Sequence, residues 1–218
     1  MNTTAAQFPY PWQRCKIVHL VRHGQAMHNV EGDINREALL SPHLFDAELS
    51  PLGLHQVGKL RKDVHASGLL KRIELVITSP LYRTMQTAFG VFGSTESNED
   101  AGGVRPCDMR RRVSECQALF PSIDFSMAKD SMWNPDFRES EEEMAARMGL
   151  LMDWLWTRPE QEIVIVSHGI MLQHILYRLG NDCHPSVRTA LCKRFDNCEL
   201  RSVVIVDKSS MEADSQLC

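Results

Sequence analysis

The sequence predicts an α/β fold, one domain with a mostly parallel central sheet flanked by helices. Three short apolar runs, Lys16–Val21, Ile73–Thr78 and Glu162–Ser167, are rich in β-branched residues and read as buried strands. Helix signals follow each of them, which is the alternation of a βαβ chain. The 218 residues show no internal repeat, low-complexity tract or linker, so one large domain with a well-buried core accounts for them.

Taken in order, residues 1–15 form an irregular lead-in whose Trp12 is expected on the domain surface. The domain core spans about residues 16–206. After the first strand, Gln25–Val30 can start a short helix, and residues 31–48 form a long loop of the kind that tends to be functional. Ser50-Pro51 caps a helix to about Ser67, with Leu54, Val57, Leu60 and Val64 on its apolar side. Ser79-Pro80 repeats that signal after the second strand and opens a helix to about Phe92. The polar, glycine-rich stretch Ser94–Gly103 reads as a flexible surface loop, and Val104–Asp108 as a short strand. Ser140 with Glu143 forms a capping box for a helix whose Met144, Met148, Leu151, Met152 and Leu155 make a core stripe. Another helix runs from Ser167-His168-Gly169 to Leu179, stopped by Gly180. Arg201–Val206 offers a last strand, and residues 207–218 a polar tail.

Composition narrows the partners. A net charge of −4 gives no support for a nucleic-acid or membrane-surface partner, so any affinity for anions must come from a local cluster. No apolar stretch approaches the ~18 residues of a membrane span. The seven cysteines are odd in number and scattered; Cys183-His184 and the pair Cys192/Cys198 lack the spacing of a metal site. No signal peptide is evident, so a reducing cytoplasmic compartment is expected.

The chemistry sits at strand ends. Arg22-His23-Gly24, Ser79 with Arg83, and Ser167-His168-Gly169 each follow a strand. In a parallel sheet all three share one edge, at helix N-termini that attract anions. Two arginines and two histidines meeting there suit a transferring phosphoryl group. Each arginine fork can bind two phosphate oxygens, one imidazole can attack phosphorus, and the other, protonated, balances the charge that builds.

At this point the chain resembles the histidine phosphatase superfamily, also called phosphoglycerate-mutase-like. The resemblance rests on Leu20-Val21-Arg22-His23-Gly24 with Asn29, on Thr78-Ser79-Pro80-Leu81-Tyr82-Arg83, and on Ser167-His168-Gly169, in order across about Lys16–Val206. Ser114–Phe125 and Gly180–Pro185 look closer still to the plant and fungal phosphoglycerate-mutase-like proteins. The resemblance implies a single three-layer domain of that fold. It makes His23 the nucleophile that becomes phosphohistidine, and Arg22, Arg83 and His168 the groups that bind and neutralise the phosphoryl group. Asn29 would hydrogen-bond one of its oxygens, with Gly24 and Gly169 beside it. Glu115 would protonate the leaving group, with Asp108 and Glu139 as rivals.

Arg110, Arg111 and Arg112 have two readings, a grip on a second phosphate or carboxylate of the substrate, or a solvated turn. His19, His65 and His174 read as structural, while His28 and His43 fall near the expected pocket mouth. No cofactor or metal is expected. The leading function is a metal-independent phosphomonoesterase acting on a small intracellular phosphorylated metabolite. A phosphoglycerate mutase and a catalytically silent binder of phosphorylated ligands are the alternatives. Oligomeric state is not encoded in any motif.

Overall fold

Alternation of side chains along the central strands sorts the molecule into layers. The computed structural model describes residues 11–93, 95–97, 106–126, 128, 139–180, 184–191 and 193–207. In chain order its elements are β1 (Cys15–Arg22), α1 (Met27–Ile34), α2 (Pro51–Ala66), β2 (Leu75–Thr78), α3 (Tyr82–Phe92) and β3 (Thr95–Ser97). There follow α4 (Val113–Leu119), β4 (Ile123–Asp124), α5 (Glu141–Thr157), β5 (Glu162–Ser167), α6 (Gly169–Leu179), α7 (Pro185–Leu191) and β6 (Leu200–Val206). The strands form one sheet in the order β4-β3-β2-β5-β1-β6. Every pairing is parallel except that of β6 with β1.

Within β5, Ile163 and Ile165 join Val18, Leu20, Leu75 and Ile77 beneath α5 and α6. Val164 and Val166 point the other way, with Val21 and Val76, against α2 and α3. A strand covered on both faces has no polar side, which is why these runs read as continuously apolar. The stripe on α5 packs as expected: Met148, Leu151, Met152 and Leu155 are buried in the first of these clusters. Burying each such side chain stabilises the fold by about 1.5–3 kcal/mol. The polar residues of β1 are satisfied: His19 meets Ser202 and Glu162, and Lys16 donates to the carbonyls of Arg158 and Glu160.

Parallel register carries the strand ends to one edge. Arg22 lies opposite Ser167 across β1 and β5, and Thr78 lies opposite Val166 across β2 and β5. The three motifs therefore open onto the same side of the sheet.

Several local expectations change. Ser50 caps α2 through its hydroxyl, as its sequence indicates, and Ser140 caps α5 the same way. Ser79 does not cap a helix. α3 begins three residues later, and its first N–H, on Tyr82, is taken by the buried carboxylate of Asp46 at 2.7 Å. The 31–48 loop is not structureless, since α1 runs to Ile34 and 3-10 turns follow at Arg36–Leu40 and Pro42–Leu44. Pro106–Asp108 is a 3-10 turn and not a strand, because proline removes a ladder donor. Part of the expected surface loop, Thr95–Ser97, instead pairs with β2. α7 had no clear periodic signal. Residues 98–105, Cys183, Cys192 and the 208–218 tail lie outside the described residues. No helix among the described residues is long and apolar enough to cross a membrane.

Candidate active site

At the carboxyl edge of the sheet lies a cavity of about 490 Å³. Its lining includes Arg22 and His23 from the end of β1, Arg83 from the first turn of α3, and His168 and Gly169 from the turn between β5 and α6. His28 and Asn29 reach it from α1.

His23 is 3% exposed, and its Nδ1 lies 2.7 Å from the carbonyl of Gly24. A carbonyl only accepts, so Nδ1 carries the proton and Nε2 keeps its lone pair. The backbone of His23 is held from behind, its carbonyl accepting from Asn197 Nδ2 and from the N–H of Cys198. Arg22 is fixed by donation to the carbonyl of Phe195 at 2.6 Å, and Arg83 by donation to the carbonyl of Cys107 at 2.6 Å. Both arginines are anchored by one nitrogen, so the fork is positioned before any ligand arrives.

The rings of His23 and His168 lie 5.2 Å apart between centroids, at 60°. His168 Nδ1 is 3.5 Å from an Arg83 nitrogen, which can only donate. The proton of the neutral ring therefore sits on Nε2, 3.0 Å from Ser79 Oγ. Ser79 thus serves His168 rather than a helix end. His168 is also the N-cap residue of α6, so Gly169 stands at the positive end of that helix.

Burial and the charge of Arg83 push both His23 and His168 well below the ordinary histidine value. Burial, with Arg83 and Arg22, lowers His28 to about 2. Three neutral imidazoles in a cationic cavity leave an environment short of negative charge, which a phosphoryl dianion would supply. Asn29 has its Oδ1 on the N–H of Ala26 and its Nδ2 on His28 Nε2 at 3.1 Å. The second hydrogen of Nδ2 is what remains for a ligand.

Other expected residues stand elsewhere. Glu115 is exposed and accepts from the backbone N–H of Arg112 at 2.9 Å, closing the first turn of α4. It does not line the cavity, because a glutamate at the third helix position reaches back to the cap more readily than across to the sheet. The carboxylate that does line the cavity is Asp108, 3.7 Å from Arg83. Glu139 is spent on Arg147 at 2.6 Å. Arg110, Arg111 and Arg112 are likewise absent from the wall: Arg110 is buried, Arg111 pairs with Asp46 and stacks on Tyr82, and Arg112 is exposed. Gly24 does not line it either, its N–H being used by Thr87 Oγ1. Sequence reasoning missed Asp33, Arg36, Gln173 and Arg194, all of which border the cavity. Arg36 lay in the long loop flagged as functional; Arg194 had no signal.

Among the described residues no three histidine, cysteine, aspartate or glutamate side chains cluster so as to hold a metal ion. Burial raises the thiols of Cys116 and Cys198 to about 11 and about 12, so neither is a nucleophile at neutral pH.

Comparison with known proteins agrees with this geometry. The chain is 46% identical over 255 residues to Phosphoglycerate mutase-like protein 1 of Arabidopsis thaliana, covering 100% of this chain and 90% of that one. It is 43% identical over 244 residues to a Phosphoglycerate mutase-like protein of the same plant, covering 94% and 90%. Among solved structures, the ecdysone phosphate phosphatase from Bombix mori superposes with a TM-score of 0.58 at 16% identity, covering 86% of this chain and 88% of that one. A mycobacterial glucosyl-3-phosphoglycerate phosphatase gives 0.53 at 21%, covering 86% and 90%; at such identity these two speak for the fold alone. The model of the histidine phosphatase superfamily, branch 1, matches residues 18–211, and this chain belongs to that superfamily.

Proposed function

We propose that the chain is a metal-independent phosphomonoesterase that hydrolyses a small phosphorylated metabolite through a phosphohistidine at His23. The observation that carries the reading is the Nδ1 hydrogen bond of His23 to its neighbour's carbonyl, which leaves Nε2 unprotonated in a cavity that Arg22, Arg83 and His168 also line.

In the first step Nε2 attacks phosphorus and the ester P–O bond breaks. Arg22 and Arg83 neutralise the phosphoryl oxygens, and His168 takes a proton from solvent as the dianion offsets the burial that kept it neutral, returning it when phosphate leaves. Asp108, the only carboxyl on the wall that stands beside Arg83 among the described residues, takes up a solvent proton as the bound phosphoryl group competes for Arg83, and hands it to the departing alkoxide. In the second step the Asp108 carboxylate takes a proton from water as its oxygen attacks phosphorus. The P–N bond breaks, phosphate leaves and His23 is restored. Hydrolysis is favoured over transfer to a second phosphoglycerate because Asp33, Arg36, Ile170 and Arg194 at the cavity mouth are all exposed, which admits water to the intermediate.

His23→Ala is expected to keep its far-UV spectrum and lose all but about a thousandth of p-nitrophenyl phosphate turnover. Excess EDTA should leave the wild-type rate unchanged. A folded variant retaining more than about a tenth of the rate would overturn the assignment, as would EDTA inactivation reversed by added divalent metal.

A further inference from the structure

The cationic surface of the cavity does not end where a phosphoryl group would sit. Four arginines line the cavity, Arg22, Arg36, Arg83 and Arg194, against the two carboxylates Asp33 and Asp108, in a chain whose net charge is −4. Arg22 and Arg83 are tied to backbone carbonyls on the floor. Arg36 and Arg194 are exposed at the mouth, and neither guanidinium has an ion pair or hydrogen bond among the described residues. They come from unrelated places in the chain, Arg36 from the 3-10 turn after α1 and Arg194 from the segment between α7 and β6. Burial lowers Arg22 most, and the charge of Arg194 acts on it next, ahead of Asp196, Asp33 and Arg83; a strip of positive charge, partly offset by those two carboxylates, runs from the floor outward. Leu39 and Ile170 lie along the same wall and offer apolar contact for a short carbon skeleton.

A phosphate monoester bound on Arg22 and Arg83 leaves this outer strip unmatched. Resting on the phosphomonoesterase reading, we infer that Arg36 and Arg194 form a second anion subsite, so that the preferred substrate carries another anionic group, a carboxylate or a second phosphate, a few bonds from the ester. Guanidinium forks suit either group, because both present two oxygens in a plane. Asp33 borders the same mouth and partly offsets the field of the two arginines there. The grip that one of the two sequence readings gave to Arg110–Arg112 is therefore made by other arginines, one in the turn after α1 and one before β6.

The test is equilibrium binding by calorimetry to His23→Ala, which cannot form the phosphohistidine and so separates recognition from turnover. Glycerol 3-phosphate against 3-phosphoglycerate tests a carboxylate, and fructose 6-phosphate against fructose 1,6-bisphosphate tests a phosphate. In one arm the second anion should tighten binding about tenfold. That ratio should fall to within about threefold of unity when Arg36→Ala or Arg194→Ala is added, and should shrink in high salt. Lys59→Ala, which removes the same charge from the far face of α2, should leave the ratio in place. If His23→Ala does not fold, the same ratios are read on wild type as inhibition of p-nitrophenyl phosphate turnover. Ratios near one in both arms, ratios indifferent to both arginine substitutions, or no measurable binding of any of the four compounds would overturn the subsite. A chain that shows the arginine-dependent ratio yet releases no phosphate from any ester would instead sink the hydrolytic reading and leave the subsite standing.

Discussion

Asp108 and Glu115 stand seven positions apart in sequence, yet only one of them meets the cavity. The difference is local chemistry. Glu115 is drawn back to its own helix end, whereas Asp108 closes a 3-10 turn whose preceding carbonyl, on Cys107, accepts from Arg83. Asp108→Asn should therefore lower kcat/KM on phenyl phosphate by about 100-fold or more. The loss should be smaller on p-nitrophenyl phosphate, whose leaving group needs little proton assistance. Glu115→Gln should stay within about twofold on both, since an amide still closes the turn. Equal losses on the two esters for Asp108→Asn, or a large one for Glu115→Gln, would return the acid to Glu115. His23, His168, Arg22 and Arg83 were legible because each follows a strand and needs only parallel register to converge. The place of Asp108 on the wall was not, because it depends on a contact between residues 83 and 107 that no local pattern encodes.

α2 shows what an element can do beyond its own stability. Its cap and its proline were plain in the sequence, but its service to the loop that carries His23 was not. The N–H of Ser50 donates to the carbonyl of Gln25, Ser50 Oγ donates to Gln25 Oε1, and Gln56 Oε1 accepts from the N–H of Gln25. Gly53 allows the approach: a Cβ there would lie 2.0 Å from the carbonyl oxygen of Gln25, a backbone atom with nowhere to go. Gly53→Ala should cost about 2 kcal/mol or more in urea unfolding and also depress turnover, since the loop carrying His23 must shift. Gly58→Ala, one and a half turns along the same helix, meets nothing within 4 Å and should stabilise by about 0.5–1 kcal/mol. A neutral outcome at Gly53 would mean that the loop yields freely, and would break the link between α2 and His23.

At the scale of the whole molecule the neutral histidines set a pH dependence. In the unfolded chain His23, His28 and His168 take protons near pH 6.5, whereas burial in the fold holds all three below that value. The unfolded state then binds more protons in acid, so stability is full above about pH 7 and falls as pH drops through 6.5. Each histidine should cost about 1.4 kcal/mol between pH 7.5 and 5.5, roughly 4 kcal/mol together. Urea midpoints measured across that range check it, and an unchanged midpoint would show that the imidazoles charge within the fold. Inorganic phosphate should lessen the loss by binding only the folded cavity. Fold class and layering were readable because strands covered on both faces must be apolar throughout. The short β3 and β4 were not, since two or three residues carry no period.

The antiparallel β6 has one more consequence, and it concerns time. Arg22 rests on the carbonyl of Phe195, and the backbone of His23 is held by Asn197 and Cys198, 173 residues or more downstream of the residues they steady. A chain leaves the ribosome from its amino end, so Arg22 and His23 are made long before the residues that brace them. Arg22 has no carbonyl to lean on until the segment through residue 198 has emerged and β6 has docked beside β1. His23 is thus synthesised early and braced late, and the floor of the cavity is complete only after the segment that holds it has docked.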